Sequence, residues 1–159
     1  MTSIFNKTAA LVILLAAAST TLQAQVKKTA AKKKVTVTKT AKKGGAGLTA
    51  SMARGKVVFN SICATCHMAD GLGVPRMNPP LAKTTYVLGD KNKLIPIVLN
   101  GFSEDVEING ERYSNVMPAH DYLQDQQIAD VLTYVRNSFG NKASAVTVAE
   151  VKKARAAKK

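Results

Sequence analysis

Tryptophan is absent from this 159-residue chain, and four Tyr and four Phe bring its aromatics to only 5%. A small domain so short of aromatic area would be helped by an apolar group bound at its centre. The 46% hydrophobic content still suffices for a packed core, and the length suits one domain with extensions. Cysteine is nearly missing: Cys63 and Cys66 are the only two, so no other sulfur competes with whatever that pair does. Histidine is just as scarce, with His67 and His120 alone, which leaves a four-ligand zinc site short of donors. No alternation of strand and helix surrounds Cys63, so a redox dithiol on a βαβ turn lacks its setting. The apolar run from Ala9 to Ala18 falls far below the ~20 residues of a membrane span.

The formal net charge of +13 resembles a nucleic-acid binder until its distribution is read. From Leu48 to Ala149 there are nine Lys+Arg and nine Asp+Glu, so the middle of the chain is neutral and the extensions hold the excess. Residues 1–24 have the form of a secretory signal, with Lys7, the apolar run and a small-residue end at Leu22-Gln23-Ala24, after which cleavage is expected. Residues 25–47 form a Lys-rich leader of low complexity, closed by Gly44-Gly45-Ala46-Gly47. Residues 142–159 read as a basic C-terminal tail, leaving a folded domain over residues 48–141. An exported protein meets no physiological nucleic acid. Anionic lipid surfaces and acidic faces of partner proteins are the contacts open to the extensions, against the simpler role of a solvated spacer.

What the chain does contain is Cys63-Ala64-Thr65-Cys66-His67. Two cysteines with two residues between them reach the two vinyl groups on one porphyrin edge, and a histidine directly after the second meets the iron. The motif predicts one covalently attached haem c, with Cys63 and Cys66 as anchors and His67 as axial ligand. Attachment of such a haem outside the bacterial inner membrane agrees with the export signal and points to the periplasm.

The rest of the domain reads as helices around that motif. Thr49 or Ser51 is placed to cap a helix running to about Ile62, with Met52, Val58, Phe59 and Ile62 on its apolar stripe and Gly55 permitting close contact with another helix. Asp70-Gly71-Leu72-Gly73-Val74-Pro75 and Asn78-Pro79-Pro80-Leu81 are irregular loops beside the haem. Asp90 caps a helix over about 91–99, ending at Asn100-Gly101 and expected to be distorted or shortened by Pro96. Asn109-Gly110 predicts a short hairpin within 107–112, read as a small excursion. Ile128, Val131, Leu132, Val135 and Phe139 predict a helix over 125–139, stopped by Gly140.

The second axial position decides the function, because a filled one favours electron transfer and an open one permits binding or oxygen chemistry. Met117 is the leading candidate: it lies fifty residues after His67, beside a stiffening Pro118. Met77 and His120 are rivals, the latter giving bis-histidine ligation, whereas Met68 adjoins His67 and Met52 precedes the motif.

Residues from about Leu48 to Asn141 resemble the class I monohaem cytochrome c domain of bacterial periplasmic proteins. Gly55 and Phe59 resemble the family's N-terminal helix pair that packs across the C-terminal helix near Val131 and Tyr134. Pro79 matches the proline whose carbonyl accepts from the proximal histidine, with Pro80 as the other alignment, and Asn115-Val116-Met117-Pro118 matches the methionine-bearing segment. Gln124 departs from the family's usual Ser or Thr cap. The resemblance implies an all-α fold with helices packed around one haem, and a non-enzymatic electron carrier serving redox partner proteins. A dedicated cytochrome subunit of a periplasmic dehydrogenase or reductase complex is the first alternative. A haem peroxidase or gas sensor with a labile sixth ligand is the second.

Overall fold

The computed structural model describes residues 45–157, so the expected signal segment, most of the Lys-rich leader and the last two lysines lie outside the described residues. The first helix, α1 (Gly45–Val58), gives way without a break to a π-helical turn (Phe59–Cys63) and a single turn α2 (Ala64–His67). Short α3 (Thr85–Leu88), α4 (Lys91–Asn100), a hairpin of β1 (Val106–Ile108) and β2 (Glu111–Tyr113), α5 (Asp125–Val135) and α6 (Val148–Ala156) follow. The two strands pair antiparallel with Glu107 opposite Arg112, and Asn109 (φ 54°) and Gly110 (φ 82°) form the tight turn their sequence predicts.

The main packing contact is α1 across α5. A β-carbon added at Gly55 would collide with the Asp130 carbonyl group and lie 2.8 Å from Tyr134 Cβ, so glycine is what lets the two backbones approach. Phe59, fully buried, stands one turn further on, its ring centroid 5.4 Å from that of Tyr134 and 5.2 Å from that of Phe139. Ser51 lies inside α1 and is not its cap. Its hydroxyl donates to Asp130 Oδ1 at 2.5 Å, while Arg54 closes a two-pronged ion pair on the same carboxylate at 2.6 and 2.9 Å. Burial opposes the charge on Asp130, but the donors from Arg54, Ser51 and Gln126 outweigh it and hold the carboxyl below its ordinary pKa.

Ile128, Val131, Leu132 and Val135 of α5 are buried as their periodicity predicts, against Leu94, Ile95 and Leu99 of α4. Each such side chain contributes about 1.5–3 kcal/mol when fully buried. Pro96 does not shorten α4, which runs to Asn100. The carbonyl that would have accepted from its missing N–H belongs to Asn92, which is exposed and can be served by water. Helix α5 ends earlier than its pattern suggests. Arg136 caps α5 and Phe139 takes a left-handed conformation (φ 57°), turning its ring onto Phe59 and Tyr134 instead of extending the stripe. Gln124 is served from within the helix, its N–H donating to Gln127 Oε1 at 2.9 Å.

Residues 142–157 are not a tail. Val146 and Val151 are buried in the core, Thr147 caps α6 by accepting from the Glu150 N–H, and Glu150 accepts in return from the Thr147 N–H at 2.7 Å. Buried Arg136 ties the connecting segment down, donating to the Ser144 carbonyl at 2.9 Å and to the Val87 carbonyl at 2.5 Å. The repeated Lys and Ala had masked a helix whose single inward face is Val148, Val151 and Ala154. Among the described residues no helix is long and apolar enough to cross a membrane.

Candidate functional site

The helices leave an apolar cavity between the α2 turn, α3, α4, the hairpin and the segment around Met117. The cavity is partly open to solvent, and its lining is predominantly apolar, the character of a site for an organic cofactor. Cys63, Cys66 and His67 line one side of it; Met117 and His120 also line it.

Local geometry explains how the motif reaches the wall. The π turn widens the helix directly before Cys63, and the Ala64 N–H bonds back to the Phe59 carbonyl. Helix α2 ends at Met68 (φ 61°), after which the chain turns so that the Gly73 N–H meets the His67 carbonyl at 3.0 Å. Gly73 (φ 68°) lies so close to the backbone of Asn78 and Pro79 that a β-carbon would strike it. That contact brings Pro79 back to the motif: His67 Nδ1 and the Pro79 carbonyl oxygen are 2.9 Å apart, and Pro79, not Pro80, is the acceptor. With a proton on Nδ1 donated to that carbonyl, Nε2 is the nitrogen left for the cavity.

Burial pushes the His67 pKa down, partly offset by the Pro79 bond, so the ring is neutral and its free nitrogen carries a lone pair at physiological pH. Cys63 is pushed up to about 11, by burial first and by neighbouring Cys66 second. A thiol so far above neutrality is a poor nucleophile, which argues against Cys63 as the attacking thiol of a redox pair. Among the described residues no three His, Cys, Asp or Glu side chains converge as a metal site requires, so the zinc reading has no geometry.

The methionines separate clearly. Met117 lines the cavity, held by reciprocal backbone bonds with Phe102 at 2.8 and 2.9 Å. Met68 and Met77, 44% and 52% exposed, lie outside its lining, as does Met52. His120 is in the wall but its Nδ1 pairs with the Tyr122 hydroxyl at 3.1 Å, and Tyr122 is exposed.

The hairpin is more than an excursion, since Val106, Ile108 and Tyr113 form part of the wall. The period-two alternation Val106-Glu107-Ile108, apolar on one face, is the signal that marks them. Asn141 also belongs to the site's support: it accepts from the Lys83 N–H at 2.7 Å and donates to the Leu81 and Val135 carbonyls at 2.9 and 2.7 Å, anchoring the segment after Pro79-Pro80 to α5. A lone asparagine after a helix carries no pattern that predicts this.

An apolar cavity lined by Cys63, Cys66, Met117 and the imidazole that His67 anchors on the Pro79 carbonyl fits a haem. Comparison with known proteins agrees. Residues 52–139 match the family model described as cytochrome c. The chain is 33% identical over 121 residues to cytochrome c-552 of Thermus thermophilus, covering 70% of this chain and 81% of that one. It is 39% identical over 119 residues to the cytochrome c subunit of a quinone alcohol dehydrogenase from Gluconacetobacter polyoxogenes, covering 73% of this chain but 25% of that one. With the cytochrome c subunit of gluconate 2-dehydrogenase from Pantoea cypripedii it shares 36% identity over 99 residues, 60% of this chain and 22% of that one.

Proposed function

The chain belongs to the cytochrome c family, and from that membership we propose that it is a periplasmic electron carrier whose single haem is anchored by Cys63 and Cys66 and ligated by His67 and Met117. When bound, the haem supplies a one-electron ferric/ferrous couple. The observation that supports the reading is that Cys63, Cys66, the Pro79-bonded His67 and Met117 are all lining residues of one apolar cavity.

Each residue then has a defined task. Cys63 and Cys66 make the cofactor inseparable from the chain. His67 offers Nε2, and the Pro79 carbonyl fixes its tautomer and strengthens it as a donor. Met117 offers a soft, uncharged sulfur that no proton competes for, which raises the reduction potential relative to a second histidine. The apolar walls exclude water and keep both ligands in place, so little needs to move as the charge changes by one. If His67 and Met117 both hold the haem, no position would be left for peroxide or gas chemistry, which sets this reading against the peroxidase and sensor alternatives.

The segment ending at Ala24 supports export, and redox proteins of the same compartment are the partners this chemistry requires. A role as the dedicated cytochrome subunit of a dehydrogenase is the second reading, favoured by likeness to the cytochrome subunits of the alcohol and gluconate enzymes. Of the Lys-rich leader, residues 26–44 precede α1 and act as a solvated spacer, with docking to an acidic partner or anionic lipid as the competing role. If docking is right, deleting them lowers reduction rates and flattens their salt dependence; equal rates and slopes leave the spacer.

The test of the haem site is an absorption spectrum of the matured protein, ferric and ferrous, with carbon monoxide added to the reduced form. A ferric sulfur-to-iron charge-transfer band, lost in Met117→Ala, with no carbon monoxide binding by the parent, is the expected result. Ready carbon monoxide binding by the parent would refute the closed His/Met site.

A further inference from the structure

Helix α6 lies beyond the residues that match the family model, yet it reaches the site. Arg155 forks across the chain that leads from Met117 into α5: Nη1 donates to the Asp121 carbonyl and Nη2 to the Leu123 carbonyl, each at 2.8 Å, while Nε meets Asp125 Oδ1 at 2.8 Å. Leu123 lines the cavity, and its N–H bonds back to the His120 carbonyl at 3.1 Å. The His120 N–H in turn bonds to the Val98 carbonyl of α4 at 2.9 Å. At its other end α6 holds α4 itself through Lys91 to Glu150 at 2.5 Å, and the segment just before α6 adds Lys91 to the Ala145 carbonyl at 3.1 Å. Fully buried Val151 seats the helix between these two grips.

The strap from Met117 to Leu123 is therefore fixed at its start by the Phe102 bridge, in its middle by α4, and at its end by a guanidinium on α6. A planar fork satisfying two carbonyls and a carboxylate at once sets the position of that end in a way a lysine or a water cannot. We propose that Arg155 is a positioning residue for the sixth ligand: by clamping Asp121 and Leu123 it keeps Met117 on the iron and keeps exogenous ligands off it. This rests on the Met117 ligation proposed above.

The experiment is an imidazole titration of the ferric, haem-loaded protein, comparing the parent with Arg155→Gln and with Arg54→Gln, which loosens α1 against α5 without touching the strap. Coupling between two sites of a protein is typically several-fold to a hundredfold, so imidazole affinity in Arg155→Gln is expected to rise about tenfold, with a weakened charge-transfer band. In Arg54→Gln it should stay at the parent value although its denaturation midpoint falls. Should Arg155→Gln fail to mature with haem, Arg155→Lys gives the same reading, since one ammonium cannot span both carbonyls. An affinity unchanged in the Arg155 variant, or raised equally in Arg54→Gln, overturns the clamp alone. A parent that lacks the charge-transfer band overturns the Met117 ligation, and the clamp with it.

Discussion

Gly55→Ala sets two effects of opposite sign against each other. In an exposed helix interior the change would stabilise by about 1 kcal/mol through helix propensity. Here the new methyl would collide with the Asp130 carbonyl group and lie 2.8 Å from Tyr134 Cβ, when ordinary carbon contacts need at least about 3.5 Å. Both obstacles are backbone or the root of a side chain, so neither can rotate away. Helix α1 would have to lift from α5, stretching the Ser51 and Arg54 bonds to Asp130 and loosening Phe59 against Tyr134. Overpacking of this kind costs about 1–3 kcal/mol, and the lost contacts add to it, so the net effect is a destabilisation of about 2 kcal/mol despite the better propensity. Denaturant unfolding of the haem-loaded parent and variant, compared at equal slope, measures it. A variant as stable as the parent, or more so, would refute the close crossing of α1 on α5.

Other consequences can be checked in the same way. Val151→Ala removes two fully buried methyl groups from α6 and is expected to cost about 2 kcal/mol, whereas Val57→Ala, at an exposed site on α1, should fall within about 0.5 kcal/mol of the parent; equal midpoints for the two would refute the docking of α6 on the core. Asp130, with its pKa lowered on folding, contributes stability that is complete above about pH 4 and is lost as pH falls through the folded value. The parent should therefore lose stability on acidification more steeply than Asp130→Asn, and parallel curves would count against the ion pair. Replacing both Cys63 and Cys66 by Ala should leave haem extractable by acidified acetone, while the parent keeps it on the polypeptide in a denaturing gel. Retention by the double variant would rule out thioether attachment.

Local rules explain why so much of the site could be read in advance. Cys63, Cys66 and His67 are neighbours in sequence, so their spacing alone dictates what they can grip. The Asn109-Gly110 turn, the Asp90 cap and the buried stripe of α5 are likewise set by residues within a turn or two of each other. Met117 could only be ranked among rivals. Choosing it over Met77 requires knowing which loop faces the cavity, and that depends on the Phe102 bridge and on left-handed Arg76 (φ 59°) beside an exposed Met77.

The C-terminal segment shows where such reading stops. Its lysines and alanines have the composition of a solvated tail, and only Val146, Val148 and Val151 depart from it. Three apolar residues cannot hold a helix in isolation, because nucleating so short a helix is unfavourable in water. They do so here because α4 and α5 already present a complementary groove and Arg136, Lys91 and Asp125 supply partners distant in sequence. The cofactor class and the helices that frame its cavity were legible in the chain, since those rest on short-range spacing and periodicity. Which methionine lines the cavity, the hairpin's place in its wall and the packing of α6 on α4 and α5 could be learned only from the folded chain, since those depend on which surfaces meet.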